Sequence, residues 1–180
     1  GLMLVAKNDD AHRALAVDLR RRRVGRRYLA AAWGHLEGDD HTVDAPIGRH
    51  ATDRKRMGVI EGGRSAVTHL RVLERWRAAD LVLAQLESGR THQIRVHLAH
   101  LGHPVVGDPV YGVGREQGFS GSARAWAAEL ARRVPRQFLH AAELRFVHPR
   151  TGEEMRFSSE LPEALRKAAE WARGAGEFLA

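Results

Sequence analysis

An α+β domain, with a mixed, mainly antiparallel central sheet flanked by helices and loops, is predicted by three features of the sequence. Segments 65–76 and 80–86 carry apolar residues at strand spacing and are separated by a short polar turn, which reads as a hairpin. Segments 91–101 and 161–173 instead repeat apolar residues at helical spacing. The chain has 180 residues, 43% of them hydrophobic, and no apolar run near the roughly 20 residues that a membrane helix needs, so it can bury one core as a single domain, 1–180, without an apparent bilayer segment.

Element by element, Leu2-Met3-Leu4-Val5-Ala6 reads as a buried strand, followed by turn and N-cap chemistry at Asn8-Asp9-Asp10. Ala14, Leu15, Val17 and Leu19 then allow a short helix that closes in an arginine run before Gly25. Arg27 to Trp33 reads as a strand ending at Gly34, and the glycine-rich, polar stretch 35–63 as exposed loops around short strands. For 91–101 the spacing of Ile94, Leu98 and Leu101 predicts a helix with Thr91 as cap and Gly102 as the terminating glycine, which His103-Pro104 cannot continue. A turn-rich crossing over 105–111, a flexible loop over 112–121, a helix over 123–133 and a hairpin built on 139–147 and 154–157 follow. Pro162 suits the first turn of the closing helix over 161–173.

Charge narrows the function classes. Lys+Arg number 29 against 22 Asp+Glu, and because only Lys7, Lys55 and Lys167 are lysines, 29 − 3 = 26 are arginines. A guanidinium fork suits phosphate oxygens and stacking on bases, although an arginine-rich genome would give the same composition. The absence of cysteine excludes a disulfide scaffold, a thiolate zinc site and thiol catalysis, and suits a cytoplasmic protein. Gly1 leads straight into an apolar segment with no initiator methionine, so the sequence is expected to begin inside a longer protein.

The densest chemistry lies in Ser88-Gly89-Arg90-Thr91-His92-Gln93-Ile94-Arg95-Val96-His97, followed by Gly102-His103-Pro104 and Gly107-Asp108-Pro109-Val110-Tyr111-Gly112. Arg90 stands just outside the expected helix and Arg95 beside its apolar face, where an unpaired guanidinium is costly and needs an anion: a ligand, or a buried ion pair serving the fold. His97, His100 and His103 have ligand-like spacing, but the helix breaks before His103 and no HExxH motif supplies a carboxylate, so no metal site is expected. Two basic patches suit nucleic acid: Arg20, Arg21, Arg22, Arg23, Arg26 and Arg27, and Arg49, His50, Arg54, Lys55 and Arg56, the second favoured by its place in a long exposed segment. Tyr28 and Tyr111 are the only tyrosines.

The run from Gly89 to Gly112 closely resembles the signature of RluA-type pseudouridine synthases, with the closest likeness to the RluD-like ribosomal large-subunit enzymes. Arg27-Tyr28-Leu29-Ala30-Ala31-Ala32-Trp33-Gly34 resembles the family's tyrosine motif; Asp44 to His50, Ala66-Val67-Thr68 and Leu139-His140-Ala141 extend the likeness over Gly1 to about Leu161. The resemblance implies the pseudouridine synthase fold and a cofactor-free, metal-free isomerisation of uridine to pseudouridine in large-subunit ribosomal RNA, by a monomeric protein that does not bind membranes. It places Tyr28 and Arg95 in catalysis, Arg90, His92 and Ile94 against substrate, and the second basic patch against RNA. The family's catalytic aspartate would stand about five residues upstream of Gly1, and none of the nine aspartates present fits its place, Asp108 being read as a turn residue. The chain is thus expected to be the carboxyl-terminal majority of the catalytic domain, inactive alone, with an S4-like domain upstream. Arg95 is expected to face a cleft near Tyr28 without a carboxylate partner in this chain. An RNA-binding fragment without chemistry, and a family member acting on transfer RNA, stay open as alternatives.

Overall fold

The computed structural model describes residues 1–50, 52, 53 and 56–174. Its centre is a six-stranded antiparallel sheet of β1 (Gly25–Trp33), β2 (Asp40–Asp44), β5 (Val67–Arg75), β6 (Ala79–Leu86), β7 (Leu139–Val147) and β8 (Glu154–Ser158), in the order β2-β5-β6-β1-β7-β8. β3 (Ile47–Arg49) and β4 (Met57–Val59) form a separate hairpin over the 35–63 stretch. Helices α1 (Asp9–Arg20), α2 (Gln93–His100), α3 (Gly121–Arg133) and α4 (Glu163–Gly174) surround the sheet, and a 3-10 turn covers Arg115–Gly118 within the 112–121 loop. The structure is α+β, as expected. Among the described residues no helix is long and apolar enough to cross a membrane.

The three consecutive alanines of β1 explain how one strand serves two cores. Ala31 and Trp33 face α3 and α4, packing with Trp126, Leu130, Phe138 and Leu165, whereas Ala30 and Ala32 face α2, packing with Val82, Ala84, Ile94 and Leu98. Successive side chains point to opposite faces, and a central strand covered on both sides needs small residues to let helices approach. The weak strand propensity of alanine is overridden here by burial on both faces.

Two expectations change at the edges. Residues 2–6 form no strand; Leu2 N–H donates a single ladder bond to Ala141 O (2.9 Å), and Leu2, Leu4 and Ala6 lie half-buried against Leu15, Val24, Leu144 and Phe146. Packing of Leu2, Leu4 and Ala6 and that one bond hold this segment, which lacks the continuous pairing with a neighbour that would make it a strand. α2 starts at Gln93 with His92, not Thr91, at its cap position, and His92 adopts a left-handed φ of 58° with no side-chain cap. Its C-terminus is as expected: Gly102 takes φ 84°, and the bonds from Gly102 N–H to Ala99 O and from His103 N–H to Leu98 O make the paired closure that satisfies the last carbonyls.

Candidate functional site

The start of α2 is held by one buried amide. Gln93 Oε1 accepts from Ser88 Oγ (2.8 Å) and from the Arg90 N–H (3.0 Å), while Nε2 donates to Val67 O (2.9 Å) and Thr68 Oγ1 (3.0 Å). These bonds replace the missing Thr91 cap and lock the 88–90 turn and α2 onto β5. His97 continues the attachment one turn later, with Nδ1 bonded to Thr68 Oγ1 (2.9 Å) and Nε2 to Ala45 O (3.0 Å). His103 Nδ1 meets Trp33 O (2.8 Å), so His97 and His103 are ties between elements.

Arg95, 7% exposed, has a carboxylate partner inside the chain, contrary to the expectation that it would lack one. Its Nε and Nη2 donate to Asp108 Oδ2 (2.6 Å) and Oδ1 (2.8 Å) in a bidentate pair. Asp108 Oδ1 also accepts from the Val110 and Tyr111 N–H groups at 2.9 and 3.1 Å, so the expected turn role and the ion pair fall on one side chain. Burial by itself would raise the Asp108 carboxyl, but the bonds from Arg95, Val110 and Tyr111 and the charge of Arg95 outweigh it and hold the group below its ordinary range.

Tyr111 joins the pieces around this pair. Its Oη accepts from the Met57 N–H of β4 (3.0 Å) and bonds His92 Nδ1 (3.0 Å), and its ring lies under the guanidiniums of Arg95 and Arg56 at 5.0 and 5.4 Å. Burial, then the nearby Arg95 charge, push His92 below its ordinary pKa, with a smaller opposite pull from Asp108. The imidazole is therefore neutral at pH 7 and can accept the phenol proton at Nδ1, which leaves Nε2–H as its donor.

Tyr28 stands on the α2 side of the sheet, half-buried against the core that contains Ile94 and Leu98. Its cross-strand neighbours are Ala84 and Ala141, too small to cover its ring. It lines a cavity of about 320 Å³ shared with Leu2, Leu4, Leu15, Arg26 and Glu143, and this cavity does not include Arg95. The aromatic ring against Arg95 is that of Tyr111, and the guanidinium beside Tyr28 is that of Arg26.

The remaining expected residues divide similarly. Ile94 is 4% exposed and belongs to the core with Leu98 and Val105. Arg90 is half-buried at the 88–90 turn, its Nε donating to Ser65 O (3.0 Å). In the second basic patch Arg49 is exposed on β3, His50 Nδ1 bonds Thr52 Oγ1 (3.2 Å), Arg56 stacks on Tyr111, and Arg54 and Lys55 lie outside the described residues. Among the described residues no group of three or more His, Asp or Glu could hold a metal ion. Sequence reasoning missed Tyr111 as the hub and Asp108 as the Arg95 partner; a carboxylate flanked by Val106 and Val110 beyond a Gly102 turn was the available signal for the second.

A family described as RNA pseudouridylate synthase matches residues 1–100. The uncharacterized RNA pseudouridine synthase YlyB of Bacillus subtilis is 46% identical over 170 residues, covering 94% of this chain and 51% of that protein. Ribosomal large subunit pseudouridine synthase D of Pseudomonas aeruginosa is 48% identical over 163 residues, covering 91% of this chain and 50% of its own length, and the Escherichia coli K12 protein of the same name is 47% identical over 165 residues, covering 92% and 50%. The chain therefore spans about half the length of the curated relatives it matches. Human RNA pseudouridylate synthase domain containing 1 superimposes with a TM-score of 0.66 at 32% identity, covering 87% of this chain and 62% of that one. By the length of its match to the family and by its identity to these relatives, this chain belongs to the RNA pseudouridylate synthase family.

Proposed function

We propose that the chain forms most of the catalytic domain of an enzyme that isomerises uridine to pseudouridine in large-subunit ribosomal RNA, acting in the cytoplasm as a monomer. The observation that carries the reading is that Tyr28 and the 89–112 segment, the two stretches most like the family, meet on one face of the sheet. The reaction breaks the bond from the ribose C1′ to uracil N1 and forms one from C1′ to C5. The C5 proton leaves and N1 gains one, so atoms balance with no cofactor, redox partner or metal. Such chemistry needs a flipped base held against an aromatic face, cations for the backbone and a carboxylate at the sugar. Tyr28 is the platform, and Arg95, braced by Asp108 and Tyr111, is the buried cation of the site. Of the carboxylates beside these groups, Asp108 is engaged by Arg95, and Glu143, which lines the Tyr28 cavity, is paired with Arg27.

The test is carbodiimide-dependent reverse-transcription stops on ribosomal RNA incubated with the whole protein. A new stop at a defined uridine is expected. Absence of any new stop on ribosomal and on transfer RNA would sink the assignment, and a stop on transfer RNA alone would move the substrate. Conversion by the 180-residue chain alone, at a rate comparable to the whole protein, would show that the nucleophile lies within it.

A further inference from the structure

The first arginine run does not form a uniformly solvated face. Arg13 pairs with Asp10, Arg23 with Asp18 and Arg27 with Glu143, but Arg20, Arg26, Arg64 and Arg90 make no ion pair among the described residues. Those four line one groove of about 540 Å³ between the end of α1 and the 64–65 and 87–90 turns. The one carboxylate in the groove, Glu87, is already shared by Arg22 and His69. The chain is bent to make this arrangement: Arg22 takes a left-handed φ of 58° just after α1, closing the helix where glycine is the usual choice.

Arg26 is the most constrained of the four. It is half-buried, its Nε is buried without a hydrogen-bond partner, and its guanidinium rests against Gly89 where a Cβ would otherwise stand. Desolvation lowers its pKa, the direction expected of a cation awaiting an anion. It lines both this groove and the Tyr28 cavity, so the two are joined through its side chain.

We propose that this groove is a binding site for the RNA sugar-phosphate backbone next to the modified nucleotide, with Arg26 at the junction and Arg20, Arg64 and Arg90 along the flanking strand. A row of guanidiniums without carboxylate partners fits a flexible polymer carrying one anionic group per residue, since each fork can take two phosphate oxygens. The proposal rests on the reading that the protein acts on RNA, and adds to it where the strand runs.

The test measures binding of a short uridine-containing RNA to the 180-residue chain by fluorescence anisotropy over about 50 to 200 mM salt. Arg20→Gln/Arg64→Gln removes two exposed groove charges, and Arg132→Gln/Arg166→Gln removes two from α3 and α4 as a charge-matched control. The groove pair is expected to weaken binding at least about tenfold at the lowest salt and to reduce the magnitude of the salt slope by about 1.4, two contacts at about 0.7 each; the control should retain the slope. Gly89→Ala, which alters no charge but displaces the Arg26 guanidinium, should weaken binding too. Equal slopes for the groove pair and the control, with melting temperatures unchanged, would overturn the proposal. Uridine conversion by the whole protein reports separately: lost slope without any conversion keeps the groove and refutes the isomerase reading, while normal conversion by a groove variant with an unaltered slope does the reverse.

Discussion

Arg95 and Asp108 show how one pair can serve both fold and site. Two buried charges stabilise each other only while both remain, and removing one leaves the other uncompensated at a cost of about 3 to 5 kcal/mol. Asp108→Asn should therefore lower stability by about 3 kcal/mol, measured by urea unfolding at pH 7. Because the folded carboxyl titrates below its ordinary range, its contribution is complete above the unfolded value of about 3.9 and is lost as pH falls through the folded pKa. The wild type should thus lose more stability through that acid window than Asp108→Asn, in which Glu74 and Glu87 still titrate; parallel acid limbs would show that the pair carries no such linkage. Tyr28 is a second probe, half-buried against the α2-side core but with only Ala84 and Ala141 as cross-strand neighbours. Tyr28→Phe keeps a stacking face worth about 1 to 3 kcal/mol per base and removes only the hydroxyl. In the whole enzyme, near-normal turnover for Tyr28→Phe with loss for Tyr28→Ala is the expected result for a platform. Loss in both with RNA affinity intact would make the phenol an acid-base group, and joint loss of melting temperature and activity would make it a core residue.

At the scale of elements, the strands and helices with strong periodicity were legible because their own side chains decide them: the hairpins of β5–β6 and β7–β8, the Gly102 closure of α2 and the Asn8 cap of α1 all stand where local chemistry puts them. The start of α2 was not, since it is set by Gln93, whose four bonds reach residues from 67 to 90 and leave no local signature. The residues 2–6 failed for the converse reason: their apolar run is real but no neighbouring strand pairs with them beyond Leu2. Gln93→Ala should leave the Ser88 hydroxyl and the Arg90 N–H without their acceptor and cost about 2 to 6 kcal/mol, at about 1 to 3 kcal/mol for each group left unpaired. Hydrogen exchange should then rise over 88–97 before the rest of the sheet opens, whereas a uniform rise would show that this amide is no more than ordinary core.

Across the whole molecule, composition indicated a basic, nucleic-acid type of surface, but which arginines are available depends on where carboxylates fall in space, and Glu143 reaching Arg27 across 116 positions is invisible to any window of sequence. The same logic governs the histidines. His92, His97 and His140 are all held below their ordinary pKa, burial being the first cause in each, with His97 further tied to Thr68 and Ala45 and His140 to Ser159 O. In the unfolded chain each takes up a proton near pH 6.5, while in the folded chain each resists until lower pH, so between those values the unfolded state binds more protons. Folding stability must therefore fall as pH drops below about 6.5, by up to about 1.4 kcal/mol per pH unit for each histidine, and level off once the folded forms have also titrated. Melting curves from pH 7.5 to about pH 5 test this. His140→Gln, whose side chain can still donate to Ser159 O, should reduce the slope by close to one proton. A wild-type melting temperature that is flat across that range would mean that these rings take up protons in the fold as readily as in the unfolded chain, so that burial does not hold their pKa down.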